Sequence, residues 1–536
     1  MKLSFYGADQ CVTGSCHGIE ANGKKILVDC GLQQGRDEVN NTQFPFAANS
    51  IDYVLVTHAH IDHSGRIPLL IKQGFHGEIL TTRLTGELMS IMLLDSAHIQ
   101  EQDAAWKNRK GQRAGAEYTE PLYTIEDAQR VGEFLKTCEY RQPVNLCEGV
   151  TVEFMDAGHL LGSASIKMTI TENGVTKTIV FSGDIGNINQ PIIRDPTHFH
   201  GADYVVMEST YGDRNHDAVW SYTDDLAKII DETMAKGGNV IIPSFAVGRT
   251  QELLYFIREI KDGHMVKSNP DFPVYIDSPL AKKATTIFTG DLHGYLDEDA
   301  IRLVSDGTHM FNFSNLRMTE TMEESKALNE DRTPKVIISA SGMCDAGRIR
   351  HHLKHNLWRP ECVVVFVGYQ GEGTLGRHLL EGAQSVKMFG EEIAVKAKIV
   401  NYTGLSSHAD RDHLISWISD IKDPQPQQVF VVHGDREVAL FFAQTLVNMG
   451  IHAHAVQYTE AYDLASGVQT SPGYLPERKA KSFLSTGATK PIPAYERLAA
   501  VGQMLAESIK RSRNRDNKSL AAFADQLRAL LEKWES

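Results

Sequence analysis

Short runs of apolar and β-branched residues recur through the first 210 residues, and each run ends in a polar or glycine-rich turn. The runs are KLSFYGA, KILVDCG, DYVLVTH, VTVEFMDAGH, TIVFSGD and YVVMEST. Between them, Leu84–Ala105 and Ile125–Lys136 carry apolar residues at intervals of three and four, which predicts helices. Residues 1–210 are therefore expected to form a layered α/β unit.

The pattern changes after Tyr211 to a repeated strand, glycine-rich loop and helix. The repeats are NVIIPSFAVGRTQELLYFI, KVIISASGMCDAGRIRHHL and CVVVFVGYQGEGTLGRHLL. Continuous apolar strands that alternate with helices predict a parallel sheet covered on both faces. We expect this second α/β unit over residues 211–392, with its three loops at the strand ends where such sheets bind ligands.

The next segments, AKIVNYTGL, DHLISWISDI and PQQVFVVHGD, predict a strand, a helix and a strand that could close either unit. The histidines discussed below favour the first unit, so residues 393–470 are assigned to it. SPGYLPERK then reads as a linker into a tail over residues 471–536. Two amphipathic stripes predict helices in this tail, formed by Leu498, Val501, Leu505 and Ile509, and by Leu520, Phe523, Leu527 and Leu531.

Composition excludes several classes of protein. The 536 residues carry a net charge of −14, which disfavours a protein that binds polyanions over its whole surface. The tail alone, however, carries a net charge of +5. No apolar stretch approaches the length of a membrane span, and no secretion signal precedes the first strand, so a cytoplasmic protein without membrane partners is expected. The seven cysteines are scattered and form neither a disulfide framework nor a zinc knuckle.

One cluster carries unmistakable metal chemistry. The segment THAHIDHSG puts His58, His60, Asp62 and His63 within six residues, directly after an apolar strand. Side chains alternate on extended chain, so His58 and His60 can point the same way while Asp62 and His63 fall at a turn. Imidazole and carboxylate groups in this density suit two adjacent zinc-type ions better than one ion or a polar turn.

Further candidate ligands stand at other strand ends. They are His159 in DAGHLLGSAS, Asp184 in FSGDIG and His433 in VVHGD. Each alone would more often be a turn residue or a helix cap. Together with the first cluster they make a complete shell for two metal ions.

These motifs resemble those of the metallo-β-lactamase-fold hydrolases of the β-CASP branch, which includes the RNase J-type nucleases. The branch is indicated by Glu208-Ser209-Thr210-Tyr211-Gly212, Ser407-His408-Ala409-Asp410 and Val432-His433-Gly434. The resemblance implies an αββα metallo-β-lactamase sandwich, an inserted parallel-sheet α/β β-CASP domain and a C-terminal helical tail. It covers roughly residues 1–449.

The resemblance also implies residue roles. His58, His60 and His159 would bind one Zn²⁺, while Asp62, His63 and His433 would bind a second and Asp184 would bridge both. His408 would be the general acid, with Glu208 as its hydrogen-bond partner, and Asp62 counts with them as a catalytic residue. The implied reaction is hydrolysis of a phosphodiester by a hydroxide that bridges the metals, which leaves a 5′-phosphate and a 3′-hydroxyl.

The three glycine-rich loops offer backbone N–H groups, hydroxyls and arginines at helix starts. We expect phosphate contacts from Arg249, Ser341, Gly342, Thr374 and Arg377. The alternative is that these loops merely start helices. His351, His352 and His355, beside Arg348, Arg350 and Lys354, are expected on a solvated or RNA-facing surface.

The favoured function is a zinc-dependent ribonuclease for single-stranded RNA in RNA processing or decay, with an endonucleolytic mode preferred. The alternatives are a 5′-exonuclease, a small-molecule hydrolase of the glyoxalase II or lactonase sort, and a non-catalytic RNA-binding scaffold. The tail's basic run from Lys510 to Lys518 could hold RNA, or its helices could dock on the core or form a homodimer.

Overall fold

The computed structural model describes residues 1–35, 38–112, 115, 117–216, 222–368, 370–371, 373–402, 406–477, 509, 520–521 and 523–528. Contacts divide the chain into one unit over Met1–Arg478 and another over Lys479–Ser536. The strands are β1 Lys2–Phe5, β2 His17–Ala21, β3 Lys24–Val28, β4 Tyr53–Leu55, β5 Glu78–Thr82, β6 Leu135–Cys138, β7 Val144–Cys147, β8 Val150–Asp156, β9 Ala164–Glu172, β10 Val175–Phe181, β11 Tyr204–Met207, β12 Val240–Pro243, β13 Val274–Asp277, β14 Leu316–Met318, β15 Val336–Ser339, β16 Val363–Phe366, β17 Ser385–Met388, β18 Glu391–Ala394, β19 Lys398–Asn401, β20 Gln428–Val431, β21 Ala453–Ala455, β22 Tyr458–Asp463 and β23 Val468–Tyr474. The α-helices are α1 Ile61–Ser64, α2 Ile67–Lys72, α3 Arg83–Gly111, α4 Ile125–Gln129, α5 Tyr222–Ala235, α6 Arg249–Asp262, α7 Pro279–Phe288, α8 Glu298–Ser305, α9 Met322–Glu330, α10 Ile349–Asn356, α11 Leu375–Leu380, α12 Arg411–Ser419 and α13 Arg436–Asn448.

Two sheets face each other in a sandwich. The strand order is β23-β22-β1-β2-β3-β4-β5-β6 in one sheet and β21-β20-β11-β10-β9-β8-β7 in the other. Strands such as β8 bury every second residue, and Phe5 and Val28 of the first sheet share a core with Phe154 and Phe181 of the second. Helices α1–α4 cover the first sheet, and α12 and α13 cover the second, which confirms the predicted αββα sandwich.

A third sheet, in the order β14-β13-β15-β12-β16-β19, is parallel throughout the described residues. Its central strands VIIP, VIIS and VVVF are fully buried, because helices cover both faces. The predicted parallel sheet is therefore confirmed. The prediction that residues from 393 onward close the first unit is wrong for β19, because β19 pairs with β16 at the edge of this third sheet.

Two other sequence predictions need correction. The helix expected over Ile125–Lys136 ends earlier: α4 is followed by a 3₁₀ turn at Arg130–Glu133, and Lys136 lies in β6. The tail expected from residue 471 begins later, because residues 471–474 belong to β23, which pairs with β22. Pro472 is tolerated there because β23 is an edge strand.

The described residues of the tail, 509, 520–521 and 523–528, are helical, and its basic run from Lys510 to Lys518 lies outside the described residues. Across the described part of the chain, no helix combines the length and hydropathy needed to cross a membrane.

Candidate metal centre

The carboxyl ends of several strands from both sheets meet at one edge of the sandwich. β10, β11 and β20 are parallel neighbours, and they are followed by Asp184, Glu208 and His433, respectively. His159 follows β8, and His58 follows β4 of the other sheet. Five strand-end residues are thus brought together with His408, which lies in the segment before α12.

A close backbone approach fixes the short helix α1, which carries Asp62 and His63. The N–H of Ser15 donates to Asp62 O and that of Cys30 donates to His63 O, both at 2.8 Å. A Cβ atom on Gly31 would lie 1.6 Å from Asp62 O, so only glycine permits this approach. The turn predicted after His60 is therefore held in place by the loop that follows β3.

The first ligand group brings together His58, His60, His159 and Asp184. Nδ1 of His60 lies 3.0 Å from Nε2 of His58 and 3.2 Å from Nε2 of His159. Oδ2 of Asp184 lies 3.4 Å from His58 Nε2 and 3.5 Å from His159 Nε2. Three imidazole nitrogens and a carboxylate oxygen therefore converge on one point.

Burial keeps these imidazoles in the form that binds metal. It lowers the pKa of His58 to about 3 and lowers those of His60 and His159 as well. The three rings are thus neutral at physiological pH, with lone pairs available. Three neutral imidazole nitrogens and a carboxylate oxygen at this spacing form the ligand set that divalent zinc-type ions prefer.

The second ligand group is Asp62, His63 and His433. His433 Nε2 lies 3.5 Å from Asp62 Oδ2 and 3.6 Å from Asp184 Oδ1, and His63 Nε2 lies 3.2 Å from Asp184 Oδ1. Asp184 therefore presents one carboxylate oxygen to each group. Its buried Oδ1 accepts no well-directed hydrogen bond from the described residues, so it is open to a metal ion.

Electrostatics at the second group differ from those at the first. Burial lowers the pKa of His63 and of His433, but Asp184 acts together with Asp29 on His63 and with Asp62 on His433, and these carboxylates raise both pKa values. Burial raises the pKa of Asp184, yet His433 and His63 hold it well below its ordinary value. Asp184 is thus ionised, and a bound cation would compete with protonation of these two histidines. The arrangement of both groups supports divalent metal binding.

The outward nitrogen of each of four ligand histidines is held by a hydrogen-bond partner. His58 Nδ1 lies 3.1 Å from Thr57 Oγ1, His63 Nδ1 lies 2.7 Å from Asp29 Oδ2, His159 Nδ1 lies 3.1 Å from Ser407 O, and His433 Nδ1 lies 3.0 Å from Thr210 Oγ1. Such partners fix the ring orientation and leave Nε2 for the metal. Asp29 is not among the residues predicted from the sequence, although its place at the end of the strand in KILVDCG was a usable signal.

His408 and Glu208 lie beside the metal ligands. His408 Nδ1 is 3.2 and 3.3 Å from the two carboxylate oxygens of Glu208, and the His408 ring centroid is 4.5 Å from that of His159. Glu208 is fully buried and accepts the backbone N–H of Ile185 at 2.6 Å. Burial lowers the pKa of His408, but the Glu208 carboxylate, together with those of Asp184 and Asp62, overrides burial and raises the pKa to about 9. His408 is therefore a protonated imidazole at neutral pH.

The residues predicted to contact phosphate lie in different surroundings, and several already have partners within the protein. Arg249 is 8% exposed and forms an ion pair with buried Glu252, so its charge is already partnered. Thr374 caps α11 by accepting the N–H of Arg377 at 3.2 Å, while Arg377 pairs with Glu381. Arg249 is thus the first residue of α6, and Thr374 is the N-cap of α11, so both fill structural positions at helix starts.

Ser341 and Gly342 lie in the loop after β15, where Ser341 Oγ donates to Ala346 O at 3.3 Å. The loop after β12 approaches the metal centre, because a Cβ on Gly248 would lie 2.9 Å from Cδ1 of Leu160, the residue after His159. This loop of the third sheet therefore lies beside the segment that carries His159.

Three family models match consecutive parts of the chain: the metallo-beta-lactamase superfamily over residues 10–231, the Beta-Casp domain over residues 250–379, and the Zn-dependent metallo-hydrolase RNA specificity domain over residues 392–456. The chain is 35% identical to "Ribonuclease TTHA0252" of Thermus thermophilus, over 86% of this chain and 99% of that protein. It is 30% identical to an "RNase J-like protein" of Methanocaldococcus jannaschii, over 83% of this chain and 95% of that protein. It is 29% identical to "Transcription termination factor FttA" of Methanosarcina mazei, over 83% of this chain and 69% of that protein.

Proposed function

The chain belongs to the β-CASP family of metal-dependent hydrolases within the metallo-β-lactamase superfamily, and on that premise we propose that it is a zinc-dependent ribonuclease. Its substrate would be single-stranded RNA, cut internally to leave 5′-phosphate and 3′-hydroxyl ends. The observation that carries this proposal is the protonated His408, held by Glu208 beside the ligand cluster. A leaving 3′-oxygen needs such a proton donor.

The ligand groups fit two metal ions. His58, His60 and His159 would hold one zinc ion, Asp62, His63 and His433 would hold the other, and Asp184 would serve both. Bound there, the pair would activate a water molecule at neutral pH and neutralise charge on a phosphoryl oxygen. Asp29 and Thr210 would keep His63 and His433 turned toward the ions.

His408 would then deliver the proton that the departing oxygen requires. Its Nδ1 is engaged by Glu208, so Nε2 is left to face the leaving group. The Glu208 carboxylate accepts hydrogen bonds from the N–H groups of Ile185 and Thr210, which prevents it from swinging away. The pair of His408 and Glu208 therefore holds a proton at a defined atom, Nε2 of His408, while the metal-ligand groups would position the attacking water.

RNA would enter where the loop after β12 approaches the metal centre, and would continue along the loops after β15 and β16, which lie beside it. The glycine-rich loops present backbone N–H groups suited to phosphates, as the sequence predicts. The match to an RNA specificity domain and the likeness to a protein named a ribonuclease favour RNA over a small-molecule substrate.

The test uses a uniformly labelled single-stranded RNA, a matched DNA, and zinc-loaded protein. Wild-type protein should yield internal RNA fragments with 5′-phosphates, while His408→Ala and Asp184→Asn should each lose at least about a hundred-fold in rate. His198→Ala is the matched control, because His198 also pairs with a carboxylate, Asp420, but lies on the surface away from the ligand groups. Mononucleotide products would make the enzyme an exonuclease, and zinc-loaded protein that cuts neither substrate would refute the proposal.

A further inference from the structure

The hairpin formed by β17 and β18 puts an aromatic residue in a backbone conformation that aromatic residues rarely adopt. Phe389 and Gly390 connect the two strands, with φ of +50° and +85°. Positive φ at both positions is what a two-residue type I′ turn requires, and Asn, Asp or Gly normally takes the first of them. A bulky side chain there strains the backbone, and residues kept in such conformations cluster at functional sites.

The Phe389 side chain is held on the surface and is not packed into the core. It is 47% exposed, although the His351 ring stacks on it at 4.5 Å between centroids with an interplanar angle of 18°. The Arg350 guanidinium lies 4.9 Å from the centre of the same ring. Two residues of the first turn of α10 thus orient an aromatic ring that still offers nearly half of its surface to solvent.

The surroundings of this ring are positively charged. Arg350 forms no ion pair with a carboxylate among the described residues, and its buried Nε has no hydrogen-bond acceptor there. Burial lowers the pKa of His351, and the neighbouring charges of Arg350, Lys354 and Lys326 lower it further. The nearby carboxylate of Glu391 is taken by Lys354 at 2.6 Å. A polyanion would therefore meet a guanidinium that no carboxylate of the described residues neutralises.

The Phe389 ring is also connected, through Arg350, to the loops at the edge of the third sheet. Arg350 Nη1 donates to the carbonyl of Asp345 at 3.4 Å, and Asp345 belongs to the loop that carries Ser341 and Gly342. Asp345 Oδ1 in turn accepts the N–H of Leu375 at 3.0 Å, which ties this loop to the next one. A strand of RNA that follows these loops from the metal centre would reach Phe389.

We propose that Phe389, backed by His351 and Arg350, is a stacking platform for a nucleobase of single-stranded RNA at a distance from the scissile bond. The inference rests on the proposed function, because it takes single-stranded RNA as the substrate. Every base has a π face, so the platform would favour unpaired RNA of any sequence. Loss of one such stacking contact weakens binding by about five-fold or more.

The experiment measures binding of a fluorescent 20-nucleotide oligoadenylate by anisotropy, in the cleavage-blocked His408→Ala background. Phe389→Asn removes the ring but suits the turn, so it should raise Kd about five-fold or more without lowering the melting temperature. Phe389→Tyr should restore Kd to within about two-fold of the parent, because it keeps the ring. Phe441→Ala is the matched control, since Phe441 of α13 is similarly exposed at 49% but lies on another part of the fold.

An abasic 20-mer separates stacking from charge. Its Kd should be the same for the parent and for Phe389→Asn, because it keeps the phosphates and lacks the bases. An unchanged Kd for oligoadenylate in Phe389→Asn, or an equal loss on the abasic strand, would overturn the platform. Failure of the proposed function would give a different result: wild-type protein would hydrolyse bis(p-nitrophenyl) phosphate but would cut no RNA.

Discussion

Replacing Glu208 with Gln is the perturbation that most sharply tests the role of His408. The variant keeps an acceptor for the Ile185 N–H but removes the carboxylate charge that contributes most to raising the pKa of His408 to about 9. Burial is then opposed only by the weaker effects of Asp184 and Asp62, so the pKa should fall toward the ordinary histidine value of about 6.5. The difference of about 2.5 units corresponds to about 3 kcal/mol of stabilisation of the imidazolium form.

The consequence for the rate follows from the protonated fraction. At pH 8 about 90% of His408 is protonated in the wild type and about 3% in the variant, so RNA hydrolysis should fall about thirty-fold at this pH. At pH 6 the two proteins should approach each other. Bound metal ions would lower both pKa values, so the displacement between the two pH profiles is the quantity to compare.

The assay is the pH dependence of kcat for RNA, alongside that for bis(p-nitrophenyl) phosphate. p-Nitrophenolate leaves without a proton, so the variant should lose little activity on this second substrate. Equal losses on both substrates, or superimposed RNA profiles, would refute the general-acid role. The same linkage affects folding: because the pKa of His408 is raised on folding, the stabilisation is complete below about pH 6.5 and is lost as the pH rises through about 9.

Three further predictions follow from other contacts. Asp29→Ala leaves His63 Nδ1 without its partner and should weaken zinc binding about 10- to 100-fold in a competitive chelator titration, whereas unchanged affinity would exclude the orienting role. Gly31→Ala forces a Cβ against Asp62 O, so soluble protein should contain fewer zinc ions per chain by elemental analysis, and full occupancy would contradict the packing argument. Asp277→Asn removes the carboxylate that Arg348 and His352 contact at 2.6 Å in the third sheet, and it should lower the free energy of unfolding in urea by about 3 kcal/mol. The pKa of Asp277 is lowered in the fold, because hydrogen bonds from His352, Ser325 and Thr319 outweigh burial, so this contribution should be present above about pH 4 and fade below it.

The sequence predicted the metal cluster because its ligands stand at recognisable strand ends. The run from His58 to His63 and the strand-end residues His159, Asp184 and His433 need only parallel neighbouring strands to meet, and β10, β11 and β20 provide them. Glu208 and His408 are adjacent only because β11 and the segment before α12 fold together. The residues alone therefore favoured a surface strand end for Glu208 and a helix cap for His408. The resemblance to the family was needed to pair them.

Other features depend on contacts that a linear pattern does not carry. β19 has the composition of a strand that could join either sheet, and only its pairing with β16 decides between them. His352 looked like part of an exposed histidine face, but it is fully buried against Asp277. Arg249 looked available for phosphate, but Glu252 one helical turn later takes its charge. Each difference arises from a tertiary partner at a position that local periodicity leaves open.

In the proposed reaction, water attacks phosphorus and the 3′-oxygen leaves. Cleavage of single-stranded RNA in H₂¹⁸O by the zinc-loaded protein, followed by mass spectrometry of the fragments, tests this most directly. Attack by water should place one ¹⁸O atom in the 5′-phosphate of each newly formed internal fragment and leave an unlabelled 3′-hydroxyl on its neighbour. Fragments that end in 2′,3′-cyclic phosphate, or 5′-phosphates without the label, would contradict it.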